Sequence, residues 1–237
     1  MLNVNQRHKD LIVYLMRSGR PVLPLRKYQM RDGQAIGLRH DVDKRIDIAH
    51  KMAKYERKMG ICSTYFIRHT AEYFAKDEAW ALIMDMQDMG HEIGFHNDLL
   101  SELVAHPDIV VKERLESCLC KMWANGIDVH GTSAHGSHLA RTYRFLNGYV
   151  WREVEQESTH PQFNQIETPE VTVMIPKLKL DDWFEYEANL IDPQEYYSDA
   201  DGAFDMLELE RRMGLCPKIQ VSVHPNKQPK GELMWLA

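Results

Sequence analysis

The sequence predicts an α/β fold built on a parallel sheet, and three observations point there. Short apolar or β-branched runs alternate with amphipathic helical patterns along most of the chain. Several of those helical patterns stop at or near a glycine just before the next strand, the loop chemistry of parallel sheets. The chain has 237 residues, 44% hydrophobic and 27% charged, which suits a single globular domain spanning 1–237 rather than a disordered or fibrous chain.

Strands are expected at 35–38, 61–67, 91–95, 128–134, 171–175 and 219–223. The first helix, 45–58, sets Ile46, Ala49, Met52, Ala53 and Met59 at three- and four-residue intervals and stops at Gly60. A second, 77–89, carries Trp80, Ala81, Met84 and Met89 before Gly90. The third, 108–124, carries Val111, Leu115, Leu119, Met122 and Trp123 and closes at Asn125-Gly126, and a fourth, 206–213, precedes Gly214. Methionines and aromatics at this spacing read as core filling. Segment 148–169 is the least regular and is expected to decorate the domain as loops. This alternation admits an open doubly wound sheet or a closed barrel. In both, chemistry gathers at the C-terminal ends of the strands. Neither a G-x-G-x-x-G after the first strand nor a phosphate-binding P-loop is present, so the nucleotide-binding open sheets lose support.

Twenty-nine basic residues against 35 acidic ones give a net charge of −6, which argues against a nucleic-acid partner. No apolar run approaches the ~20 residues of a membrane span. The basic N-terminal stretch has a short apolar core, 11–16, but no small-residue cleavage site, so it is not read as a signal peptide and a cytoplasmic location is expected. There the four cysteines, Cys62, Cys118, Cys120 and Cys216, stay reduced; Cys118 and Cys120 read as helix residues rather than as a metal pair.

Twelve histidines are an excess, and they fall in informative places. The first strand runs into Arg39-His40-Asp41-Val42-Asp43, where alternation puts Arg39, Asp41 and Asp43 on one face and His40 on the other. Paired carboxylates at one strand end allow one to bind a cation while the other serves as a base; an acidic turn capping the next helix is the plain alternative. The third strand ends at His96, with His91 at its start as a structural histidine. The fourth strand runs to His135 and the last to His224. Three strands ending in histidine and one in Asp-x-Asp argue for a divalent metal site with an acid/base pair.

The order Arg-His-Asp-Val-Asp (39–43), Gly-His-Glu-Ile-Gly-x-His (90–96) and Ser-Val-His-Pro (222–225) resembles the polysaccharide deacetylase superfamily (NodB homology, carbohydrate esterase family 4), in its divergent Arg-His-Asp-Val-Asp branch. The resemblance covers about 36–225. It implies a distorted (β/α) barrel of about seven parallel strands that removes acetyl groups from sugars with a bound divalent metal, zinc being the expected ion. It further implies Asp41 as catalytic base, Asp43 and His96 as metal ligands, and His224 as general acid. The segment 197–202 resembles an Asp-containing loop of that branch, giving Asp199 a substrate- or group-orienting role, with a plain Asp-Gly turn as the alternative. Asp182-Trp183 also resembles a family motif.

Two departures stand out. The second ligand histidine, normally four residues after the first, is replaced by Leu100, and the usual Arg-x-Pro segment gives way to Ala134-His135-Gly136. His135 is therefore expected to supply the third ligand, since three protein ligands plus water make a catalytic zinc site. Arg39, on the face of Asp41, is expected to hold that carboxylate ionised. The expected reaction removes an acetyl group from an N-acetylated sugar or sugar precursor of O-antigen-like surface polysaccharide. Competing readings are a sugar-binding relative that has lost catalysis, which Leu100 favours, and a D-x-D glycosyltransferase or a haloacid-dehalogenase-type phosphatase, neither of which uses His96, His135 and His224.

Overall fold

The computed structural model describes residues 6–154, 162–191, 196–199 and 205–225. Its strands are β1 (Val22–Leu23), β2 (Ala35–Val42), β3 (Thr64–Arg68), β4 (Glu92–Asn97), β5 (Val129–Ala134), β6 (Gln165–Glu167), β7 (Thr172–Met174), β8 (Tyr186–Glu187), β9 (Tyr196–Ser198) and β10 (Lys218–Val223). Its helices are α1 (Gln6–Arg17), α2 (Leu25–Gln29), α3 (Ile46–Lys58), α4 (Asp77–Asp88), α5 (Leu99–Ala105), α6 (Val111–Ala124), α7 (His138–Tyr143) and α8 (Met206–Leu215).

The main sheet runs β8-β5-β4-β3-β2-β10-β9, all parallel, with β1 added against the start of β2. Sequential strands β2, β3, β4 and β5 sit side by side, and β9 and β10 join β2 from its other edge. The order therefore follows the chain around a circle without the reversal that defines a doubly wound sheet. The result is a curled, open half-barrel of about seven parallel strands, matching the distorted (β/α) barrel expected for NodB-like proteins. Helices α3 to α6 cover one stretch of its outer face through Ala49, Ile83, Leu103 and Leu119, and α1 and α8 cover the other through Leu11, Leu15 and Leu209.

Strand β2 is buried along its whole length, and its alternation sends Leu38, His40 and Val42 outward and Gly37, Arg39 and Asp41 inward. Aromatic rings fill the lower interior, and the strands make room for them with glycine. A Cβ on Gly94 would lie 2.4 Å from the Phe66 ring, and one on Gly131 would lie 2.1 Å from the Tyr186 ring. Above this plug the interior turns polar, so the barrel holds its chemistry at the strand C-termini.

On the outer side of β2, Glu56 of α3 is fully buried among donors. Its Oε1 lies 2.9 Å from His8 Nε2 and 2.8 Å from His40 Nε2. Its Oε2 accepts from Ser63 Oγ at 2.6 Å and Tyr65 OH at 3.0 Å. Burial opposes ionisation, yet the two histidines hold the Glu56 carboxyl well below its ordinary value. His91 stands beside this cluster, accepting the Ser63 amide at Nδ1 and contacting Ala53 O through Nε2. His40 and His91 are thus scaffold.

Several elements depart from the sequence expectation. The run 171–175 forms only a short antiparallel pair of β7 with β6, away from the main sheet, because just one face of it is buried. Gly214 lies inside α8 rather than ending it. The irregular 148–169 stretch contains part of a 3-10 turn and β6, and residues 155–161 within it lie outside the described residues. Gly60, Gly90 and Gly126 do close their helices, each with φ between 74° and 92°.

Candidate functional site

Asp41 is inside the barrel because β2 alternates, and its neighbours on that face fix it. Arg39 Nη2 donates to Asp41 Oδ2 at 2.7 Å and to Ser133 Oγ at 2.8 Å, while Nη1 reaches Asn189 Oδ1 at 3.3 Å. The guanidinium carbon also sits 5.4 Å from the centre of the Phe66 ring and 5.2 Å from that of Tyr196. Burial penalises the Asp41 anion, but Arg39, then His96 and His224, outweigh it and hold the carboxyl well below the usual carboxylate range. Asp41 Oδ1 is buried and has no hydrogen-bond partner among the described residues.

One strand over, the ends of β2, β4 and β5 bring Asp43, His96 and His135 together, with one possible ligand atom from each lying within 4.8 Å of the others. His96 Nδ1 contacts Ser133 O at 2.9 Å, so that nitrogen carries a proton and, in the neutral ring, Nε2 presents a lone pair. His135 Nδ1 lies 3.1 Å from Asp98 Oδ1, an acceptor, which turns its Nε2 lone pair inward as well. Arg68 Nη1, 3.4 Å from His135 Nε2, meets the same lone pair. Both Nε2 atoms face Asp43 Oδ1, at 3.4 Å from His96 and 3.3 Å from His135. Such a convergence favours positive charge: burial opposes a charged His96, yet Asp41 and Asp43 raise its pKa above the ordinary value, and a cation can take the place of that proton.

The spacing also fits a metal. Tetrahedral zinc with bonds of ~2.0–2.1 Å separates its ligand atoms by roughly 3.3 Å. His96 Nε2 is a buried polar atom with no hydrogen-bond partner among the described residues, the mark of a site shaped for a ligand it does not itself supply. Burial resists the Asp43 charge, but contact with His96 outweighs it and brings the carboxyl down to about 2. This buried His/His/Asp cluster can hold a divalent cation. Leu100, where a second ligand histidine was absent, is fully buried in the apolar core on α5.

The last strand brings His224 to the same interior. Its Nδ1 lies 2.5 Å from Asp199 Oδ1, and its amide donates to both Asp199 oxygens at 3.0 and 3.1 Å. Asp199 therefore holds both the ring and the backbone of His224, and leaves Nε2 3.8 Å from Asp41 Oδ2. Ala200, Asp201 and Gly202, the rest of that loop, lie outside the described residues. Asp182 is exposed on a 3-10 turn and takes no part in the cluster.

Several residues with a hand in this geometry carry no role in the sequence reading. Asp98 accepts from Thr70 Oγ1 at 2.7 Å and Asn147 Nδ2 at 3.1 Å while supporting His135. It stands two residues beyond His96, so strand alternation was a usable signal. His69 Nε2 accepts the Asp98 amide at 3.0 Å. Glu187 accepts the Ala134 amide at 3.0 Å, bracing the end of the strand that carries His135, and it also binds the Asn189 and Leu190 amides. Burial, opposed by Arg39, raises its pKa to about 7. Its strand has two residues, too short for any periodicity.

Two cavities flank the cluster. One, of about 710 Å³, lies beside Arg68, His69, Asp98 and Arg114. The other, of about 720 Å³, is bounded by His135, Glu187, Asn189, Tyr149 and Arg144. No helix among the described residues is long and apolar enough to cross a membrane. No protein-family model matches the chain, and no curated protein matches its sequence.

Proposed function

We propose that the protein is a metal-dependent hydrolase that removes an acetyl group from an N-acetylated sugar or sugar precursor. The observation that carries this reading is the convergence of Asp43, His96 and His135 beside a separate Asp41 and His224. In this reading Asp43, His96 and His135 hold the metal, and zinc is among the ions that two imidazoles and one carboxylate suit. When bound, such an ion supplies Lewis acidity, polarising the amide carbonyl and making water a readier proton donor to a weakly basic carboxylate.

Asp41 takes that proton at Oδ1, since Oδ2 is engaged by Arg39. Arg39 keeps Asp41 ionised and fixes its orientation. His224, with Nδ1–H held by Asp199, presents Nε2 to deliver a proton to the departing amine. Acid and base thus occupy different strand ends, and acetate and a free amine result. A role in building surface polysaccharide follows only from the motif resemblance.

The test is acetate release from N-acetylated sugars by metal-loaded protein, with metal content measured alongside. Asp41→Asn is expected to keep its metal and lose turnover by about 10²-fold or more. His135→Ala is expected to lose the metal. Sugar binding without acetate release would favour an inactive relative, and dependence on a UDP-sugar donor would favour a glycosyltransferase.

A further inference from the structure

The cavity beside His135 carries two features that amide hydrolysis does not use. Arg141 and Arg144 both line it, both are exposed, and neither meets a carboxylate among the described residues. The acid in the same wall, Glu187, is 2% exposed and committed to backbone amides. Two guanidiniums with no carboxylate partner among the described residues therefore stand together at one cavity.

Arg144 also occupies a costly backbone position. It caps α7 in the left-handed region, with φ 56° and ψ 48°, and its amide donates back to Ala140 O. Glycine is the usual residue there because it has no Cβ to clash. Arg144 is the one non-glycine residue with positive φ among the described residues. The strain aims the residue after the helix at the cavity, and strained positions of this kind cluster where a ligand is clamped.

We infer that Arg141 and Arg144 form an anion subsite that holds a phosphate group of the substrate, next to the metal cluster on the His135 side. Two guanidiniums match the roughly −1.5 to −2 charge of a phosphate monoester better than the single charge of a carboxylate, and their planar forks pair with phosphate oxygens. The substrate class is then a phosphorylated or diphosphate-linked N-acyl sugar rather than a neutral glycan. This inference rests on the hydrolytic reading above and narrows its substrate.

Titration calorimetry on the metal-loaded protein tests it without turnover, using N-acetylglucosamine 1-phosphate, UDP-N-acetylglucosamine, N-acetylglucosamine and N-acetylmuramic acid. Either phosphate ester is expected to bind at least about tenfold more tightly than the neutral sugar. The tighter of the two esters identifies a monophosphate or a nucleotide diphosphate as the source. Arg141→Gln with Arg144→Gly is expected to reduce that preference to about twofold or less while leaving neutral-sugar binding unchanged. Arg144→Gly alone is expected to melt at the same or a higher temperature, which separates lost binding from lost folding.

Equal affinity for neutral and phosphorylated sugar, no binding of either ester, equal affinity for the carboxylate sugar, or an undiminished preference in the double variant would each overturn the subsite. Acetate release with no phosphate preference would sink the subsite alone. A phosphate preference without acetate release from any of these sugars would sink the hydrolytic reading alone.

Discussion

Glu56→Gln is the sharpest probe of the buried polar layer outside β2. The carboxylate serves four neighbours at once: His8 and His40 at Oε1, Ser63 and Tyr65 at Oε2. An amide offers one oxygen and turns an NH2 group toward the other pair. At least two contacts to a charged acceptor, worth about 1.5–3 kcal/mol each, therefore fall to neutral ones or to donor–donor conflicts. A loss of about 3 kcal/mol is expected, consistent with the 3–5 kcal/mol typical of breaking a buried ion pair from one side.

Urea denaturation at pH 7, with metal content as a control, measures it. The pH dependence has a definite sign. The folded pKa of Glu56 lies below its ordinary 4.5, so its contribution is full above 4.5 and is lost as pH falls through the folded value. The gap between wild type and Glu56→Gln should start to close below about pH 4.5. A difference under about 1 kcal/mol at pH 7 would refute ionised Glu56 as the hub of this layer.

Asp98→Asn should weaken metal binding by about 10–100-fold in competition with a chelator, because Asp98 supports His135 from behind. Unchanged affinity would remove Asp98 from that role. Gly131→Ala drives a methyl into the Tyr186 ring and should cost about 1–3 kcal/mol in thermal or urea unfolding. His69 is driven down to about 3 by burial, so the stability tied to its neutral form is full above 6.5 and lost as pH falls. His69→Gln should flatten the acid limb by up to about 1.4 kcal/mol per pH unit between those values, read from urea midpoints at successive pH.

Alternation along β2 and β4 was legible because it is a period-two signal: Arg39, Asp41 and His96 point inward as their spacing requires. The long helices α3, α4 and α6 were equally legible from their apolar stripes and terminal glycines. The same periodicity runs through α1, where His8, Leu11, Ile12 and Leu15 share one buried face. β1, β8 and β9 have two or three residues each, and no pattern exists at that length. Which way the sheet curls, and hence that Glu187 and Asn189 meet Arg39 and Ala134, depends on packing between distant segments.

The place of the third candidate ligand, His135, at the end of β5 decides what a metal would do to the chain. Asp43, His96 and His135 stand on three separate strands, far apart in sequence. A bound ion would close two long loops at once and act as a cross-link, most costly to form in an unfolded chain and most valuable in a folded one. Metal affinity and fold stability then become one linked equilibrium: free metal at a hundred times its Kd adds about 2.7 kcal/mol, and chelation removes it. The open side of the half-barrel lies between β8 and β9, away from this cross-link. The strands the ion would tie together are those of the continuous arc, so it would stiffen the rim that presents Asp41.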